Sequence, residues 1–358
     1  MKSNLKRLNS KKYFLLFCFY ALFLGAIIFP SAFAEAASSS RQVPITIVTG
    51  LKTGTYYIFG RDIFETAKKA NVEVVVKSSE GSIDNIKLIN SDDNAVLGIV
   101  QSDVLGFLGR SKKPDSMKMA SNLRMVFPFY NEEIHVLARN EIKDFKDLQG
   151  KKVAIGEEGS GNMLTAINLF SMMNVTPAES QKIPSAQGVV AVLKGEIDAA
   201  IFVGGKPVRL FKNLEDLTLP ENQKYASMLE KVHFLPMNGA KMLEEYKPAE
   251  ITSNDYKFVK EAVPTISVQA ILISRDFSQA NSPKVKDNSA RCEQIGKLAD
   301  IIRAGLPALK ETGHPKWKEV NPDANVGAWK KDSCAWEILS NAKSEETSKD
   351  LMNILDKK

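Results

Sequence analysis

"VPITIVTGLKTGTYYIFGRDIFETAKKA", Val43–Ala70, reads as a strand, a glycine-rich loop and a helix. The apolar alternation around Ile45 and Ile47 suits a strand, and Tyr57, Phe59, Ile63, Phe64 and Ala67 recur at helical spacing as the expected buried face of the helix. The loop between them delivers the chain to a helix start, where backbone N–H groups lack intrahelical partners. Gly54 permits close backbone approach, Thr55 can cap the helix, and one of Tyr56 and Tyr57 can cover a bound solute. Adjacent side chains cannot share one helical face, so one tyrosine packs inward and the other reaches outward; their order stays open. Ordinary turn and cap chemistry accounts for the same residues equally well.

The unit recurs. "VEVVVKSS" is a second strand, "GSIDNIKLINSDD" a helix with Ile83, Ile86, Leu88 and Ile89 as its apolar contacts, and "AVLGIVQSDV" a third strand. "LRMVFPFYNEEIHVLARN" reads as two apolar strands with a turn between them. "DFKDLQGKKVAIGEEGSGNMLTAINLFSMMNV" then supplies a short helix, a strand, a glycine-rich turn and a long helix, and "SAQGVVAVLKGEIDAAIFVGG" a helix and a strand. Strand and helix in alternation imply an α/β fold, a mostly parallel sheet covered by helices. Two such units point to two lobes. The late alternating stretch "VPTISVQAILISRD" and the late helix "CEQIGKLADIIRAGLPAL" then return to the first lobe. The loops "TGTYY", "SSEGS" and "GEEGSGN" each follow a strand and open a helix, positions at which exposed amides bind a carboxylate without an arginine.

Residues 1–34 have the order of a secretory signal peptide. Lys2, Lys6, Arg7, Lys11 and Lys12 precede an apolar run from Tyr13 to Phe29, and "SAFA" places Ala32 and Ala34 before a cut that leaves Glu35 first. The alternative is a membrane anchor, since the run approaches a spanning length. The whole chain has 48 basic and 42 acidic residues; the leader holds five basic and no acidic ones, so the remainder carries 43 against 42, or +1. That balance gives no reason to expect nucleic acid or an anionic membrane as partner. Cys292 and Cys334 remain after export, an even pair able to form a disulfide in an oxidising compartment or to stay as two buried thiols. No closely spaced Cys/His cluster signals zinc, and no other metal or cofactor is expected.

Taken in order, "TGLKTGTYYIFG", "SSEGSIDNIKLI", "LGIVQSDV", "IHVLAR", "DLQGKKVAIGEEGSG", "LKGEIDAAIFVGGKP" and "VPTISVQAILI" resemble the TAXI family, the extracytoplasmic solute-binding proteins of TRAP transporters; "HPKWKEV" and "SCAW" fit as well. The resemblance implies a two-lobe periplasmic-binding-protein fold of type II topology. The first lobe would be built from residues 45–135 and 237–345 and the second from 136–236, with 346–358 as a tail. It implies a monomer in the periplasm that hands a small organic anion, glutamate or a related dicarboxylate, to an integral membrane TRAP permease. Carried onto this chain, first-lobe contacts would come from Gly54, Thr55, Tyr56, Tyr57, Ser82, Asn85, Gln101 and Ser102. Second-lobe contacts would come from Ser160, Gly161, Asn162, Phe202 and Gly204. Family members often have threonine where Asn162 stands. Asp103 would either meet an amino group or cap the next helix, the cap being favoured. His135, near the expected crossing between lobes, is either a cleft group or a structural histidine.

Two other classes compete. A secreted small-molecule transferase of similar fold would need a reaction centre. "GEEGSGN", however, lacks the Lys–Ser/Thr ending of a phosphate loop, and His135, His233 and His314 form no readable triad. A surface antigen or adhesin would more commonly show repeats, a stalk or an anchor. The reading is therefore a binding protein, not an enzyme.

Overall fold

The computed structural model describes residues 44–91, 95–278 and 285–336. The leader with its cut before Glu35 and the tail 346–358 lie outside the described residues.

The first unit forms β1 (Ile45–Val48), α1 (Thr55–Lys69), β2 (Val74–Lys77), α2 (Ser82–Ser91) and β3 (Ala95–Gln101), followed by α3 (Val104–Arg110) and α4 (Pro114–Asn122). The stretch expected as two strands with a turn is instead one strand, β4 (Leu123–Arg139), 17 residues long and buried except at Arg124, Asn131 and Arg139. A strand covered on both faces reads as a near-continuous apolar run rather than an alternation. Its turn-like residues mark a bulge: pairing with the later strand β10 (Val263–Arg275) shifts register between Asn131–Gln269 and Pro128–Ile271. Proline has no N–H to give a ladder, and an irregularity is where a sheet tolerates it.

Between these strands lie β5 (Lys152–Ala154), α5 (Gly161–Met173), β6 (Glu179–Gln181), α6 (Ser185–Lys194), β7 (Ala199–Gly204), α7 (Arg209–Lys212), α8 (Gln223–Leu229), β8 (Val232–Phe234), α9 (Ala240–Leu243) and β9 (Lys247–Ile251); α10 (Val285–Thr312) follows β10. The sheet order is β2-β1-β3-β10-β4-β7-β5-β6, with β8 on β4 and β9 on β10. β1 is parallel to β2 and β3, and β10 closes that set antiparallel. β5 is parallel to β6 and β7, and β4 closes that set antiparallel. Both halves therefore carry one pattern, and each takes its antiparallel strand from the chain's other portion. β10 pairs with β9 at its start and with β3 at its end, while β4 pairs with β10 first and β7 later. The result is an α/β fold with a curled mixed sheet and flanking helices, consistent with a two-lobe periplasmic-binding-protein architecture.

The helices bury the stripes their spacing dictates, with one correction. Phe59, Gly60, Ile63 and Ala67 are the buried face of α1, and the half-buried Tyr56 and Phe64 pack against the same cluster; Tyr57, expected on that face, is half-buried and is not part of it. Positions 56, 59, 63 and 67 stack at three- and four-residue steps; 57 and 64 lie about 100° around the helix. Phe59 stacks on Trp317 at 4.2 Å between ring centres. A second cluster joins Ile83 and Ile86 of α2 to Met163 and Leu164 of α5, so apolar packing runs across both halves.

A disulfide joins Cys292 of α10 to Cys334, with Cα atoms 5.1 Å apart and a sequence separation of 42. Closing a loop of that length is worth about 4 kcal/mol in the chain-entropy account. Cys292→Ser is expected to lower unfolding free energy by up to about that amount in denaturant titrations. Alkylation of both sulfurs in unreduced, denatured wild-type protein would rule the bond out.

Candidate functional site

Two of the three helix starts expected to hold a solute, those of α2 and α5, meet across the two halves. The Gly159 carbonyl, in the loop before α5, accepts from the N–H groups of Ile83 (3.1 Å) and Asp84 (3.3 Å) in the first turn of α2. Gly81 permits the turn that leads into α2, because its φ of +120° lies in a region side chains avoid. Ser160 caps α5 by accepting from Met163 N–H at 3.2 Å. A Cβ on Gly161 would collide with the Gln101 amide, so a side chain there would displace that group. At α1 the cap position belongs to Gly54, with no side-chain cap bond, so Thr55 is the first helical residue and not the cap.

Several expected contact residues are engaged within the protein. Asn85 accepts from Ser79 Oγ (2.6 Å) and donates to the carbonyls of Thr49 and Ile99, tying the ends of β1 and β2 to β3. Gln101 donates its N–H to Ser82 Oγ (3.1 Å) and accepts from Thr165 (3.3 Å). Ser102 Oγ accepts from Gln269 N–H, and its carbonyl accepts from Trp329. Asn162 donates to Ser185 Oγ (3.0 Å) and accepts from Val203 N–H (2.9 Å), bridging α5, α6 and β7. Phe202 stands edge-on to Phe211, and Gly204 lies beneath its ring. His135 is fully buried in the same aromatic cluster, donates to the Glu133 carbonyl (2.9 Å) and accepts from Tyr256 (2.9 Å). Burial lowers its pKa to about 3, so it stays neutral.

Asp103 does not cap α3. Its carboxylate accepts from Thr165 (2.9 Å) and Asn168 (3.2 Å) of α5 and from Tyr246 (3.0 Å), a junction between the halves. These partners outbid the local amides because the side chain is turned into the interface, where burial raises its pKa to about 6. Its Oδ1 is buried without a hydrogen-bond partner.

The sequence reading missed a strongly perturbed acid at the crossing. Glu132 lies 6% exposed in the middle of β4, and Tyr56 donates to its Oε2 at 2.8 Å. Burial raises its pKa to about 8 against the opposing Tyr56 hydrogen bond. Ser82 lies on the other side of the Tyr56 hydroxyl. Tyr130 Oη is buried and without a hydrogen bond of good geometry; Thr55 and Glu132 are among the polar groups that act on it. Glu133 accepts from Lys206 N–H (2.9 Å) and faces the buried ammonium of Lys316 at 3.9 Å, which holds Glu319 at 2.6 Å. The available signal was "EE" within an apolar run, hidden by its resemblance to a turn.

The sequence profile of the NMT1-like family matches residues 47–282, about two thirds of the chain, including both crossing strands. The chain belongs to the NMT1-like family. Among solved structures it is similar to the arginine-, lysine- and histidine-binding protein of Geobacillus stearothermophilus, at 14% identity over 75% of this chain and 98% of that one, with a TM-score of 0.38. A Candida albicans protein described as having the generic periplasmic binding protein fold matches at 11% identity over 79% and 83% of the two chains, TM-score 0.40. A histidine kinase sensor domain with similarity to periplasmic binding proteins matches at 12% identity over 79% and 99%, TM-score 0.42. Likenesses of this size carry no information about a solute.

In this NMT1-like chain the buried acids have a stability signature. Glu132 holds its proton up to about pH 8 when folded and releases it near the ordinary carboxylate value, 4.5, when unfolded, so its contribution is complete at low pH and is lost as pH rises toward 8. Glu133 shifts in the same direction. His135, lowered from 6.5, acts oppositely but only below about pH 6.5. Between pH 6.5 and 8 unfolding free energy should therefore fall, by about 1–2 kcal/mol from Glu132 alone. Glu132→Gln should flatten that slope in denaturant titrations; an unchanged slope would place the Glu132 pKa elsewhere.

Proposed function

We propose that this protein captures a small organic anion, glutamate or a related dicarboxylate, between two lobes and delivers it to the integral membrane permease of a TRAP transporter. The observation that carries the reading is the meeting of the α2 and α5 helix starts from opposite halves; in addition, Tyr130 Oη and Asp103 Oδ1 are buried atoms without a hydrogen-bond partner. Helix starts favour negative charge, and buried polar atoms left unpaired are costly unless something supplies the missing bond. The NMT1-like match and the ordered TAXI-like fragments support the same reading.

The solute contacts proposed from the α1 loop remain Gly54, Thr55, Tyr56 and Tyr57, joined by Ser82 and, from the other half, Ser160 and Gly161. Asn85, Gln101, Ser102, Asn162, Phe202 and Gly204 take supporting positions behind them, because their bonds and packing hold the loops in place. The proposed site is a binding site and not a reaction centre: His135, the histidine at the crossing, is neutral and engaged on both nitrogens. The protein acts as a monomer outside the cytoplasm, with Glu35 as its first residue. Closure is driven only by the solute's affinity difference between open and closed arrangements.

Mass spectrometry of solute retained through native purification, followed by calorimetry with glutamate, glutamine, 2-oxoglutarate and succinate, tests the reading. At least one small anion is expected to bind. Tyr57→Ala, at the outward tyrosine, should weaken it about 5- to 150-fold, the range expected for losing a buried ligand hydrogen bond of about 1–3 kcal/mol, whereas Tyr56→Ala, on the inward stripe, should first lower thermal stability. Binding of cations alone, with no small anion, would refute the proposal.

A further inference from the structure

We infer that Glu132 is the receptor for the solute's amino group, so that the captured anion is an α-amino acid, with its ammonium against Glu132 and its carboxylate toward the start of α1. This rests on the reading of the chain as a solute-binding protein and narrows its ligand class.

The charge balance at the crossing leads there. Glu132, Glu133 and Glu319 are gathered around one ammonium, Lys316. Lys316 is committed to Glu319 and Glu133, and among the described residues Glu132 forms no ion pair. Its hydrogen-bond donor is the neutral Tyr56 hydroxyl. The other groups facing it are Ser82 through Tyr56, the Tyr130 ring on its own strand, and the negative Asp103 at the end of β3. A buried carboxyl without a cation keeps its proton, which agrees with its pKa near 8. A solute ammonium would supply the missing charge.

The second observation is independent of charge. Tyr130 is 1% exposed, its Oη has no hydrogen bond of good geometry, and Thr55 and Glu132 are among the polar groups that act on it. Tyr130 is thus influenced both by the acid and by the first residue of α1, a 15-residue helix whose cap position, Gly54, offers no side-chain acceptor to the first amides. A zwitterion fits this order: ammonium on Glu132, carboxylate on the α1 amides, and Tyr130 bonded to either. A 2-oxo acid has a carbonyl where the ammonium would be, meets Glu132 only as a neutral hydrogen-bond donor, and forgoes the ion pair that an ammonium makes with the carboxylate.

The protons balance as follows. Without an amino-acid solute Glu132 is mostly CO₂H at pH 7. On binding, the solute keeps its NH₃⁺, Glu132 becomes CO₂⁻, and its proton passes to the buffer. About one proton is then released per bound amino acid. A 2-oxo acid releases none, because Glu132 stays protonated and donates a hydrogen bond.

Calorimetry at pH 7 in phosphate and in Tris, whose ionisation enthalpies differ, counts that proton. The probes are glutamate, aspartate and 2-aminoadipate, each an anion at pH 7, beside its 2-oxo acid: 2-oxoglutarate, oxaloacetate and 2-oxoadipate. At least one amino acid should bind with release of about one proton, and about 10-fold or more tightly than its 2-oxo partner. Glu132→Gln, checked for folding by thermal melt, should abolish the release and most of the discrimination. If a 2-oxo acid binds as well as its amino acid, or binding releases no proton, the inference fails while solute capture stands. If no probe binds and no small anion is retained through purification, both fail.

Discussion

The antiparallel pairing of β4 with β10 is the constraint on which the rest depends. Each of these strands completes the parallel set of one half while extending into the other, and together they are the sheet's passage between halves. The pairing shifts register between Pro128–Ile271 and Asn131–Gln269, and Glu132 and Glu133 follow at once. Two carboxylates are thus held at the junction by backbone pairing, and the loops of both halves are brought to the same place. Burial, not contact with a cation, dominates the ionisation of Glu132 there.

Much of the fold was legible because local pattern and final packing agree. Ile45 and Ile47 became a buried strand; Ile83, Ile86 and Ile89 became the inner face of α2. The order of Tyr56 and Tyr57 was recoverable from helical phase, since Phe59, Ile63 and Ala67 already define the stripe on which 56 falls. β4 defeated the pattern reading for a physical reason. Proline, asparagine and two glutamates are turn-like by type, and only the long-range pairing with β10 turns them into a bulge and a buried polar pair.

The site was legible in residue type and less so in role. Asn85 and Asn162 are polar and near helix starts, as a solute contact would be, yet the bonds described for them join Thr49, Ile99, Ser185 and Val203. A side chain that satisfies distant backbone looks in sequence like one free to bind a ligand. The same long-range logic applies to Asp103, whose partners on α5 and at Tyr246 could not be seen from the helix it precedes. These groups give the junction its shape, while Tyr56, Tyr130 and Glu132 supply its least satisfied chemistry.

The central claim is that solute capture draws the halves together where Gly159 accepts from α2. Residue-resolved amide exchange at Ile83 and Asp84, with and without the solute retained through purification, tests it most directly. The account predicts that both amides gain protection when solute is added, while Ile63 in the core of α1 is unchanged. Equal exchange at Ile83 and Asp84 in the two conditions, with the solute shown to be bound, would contradict it.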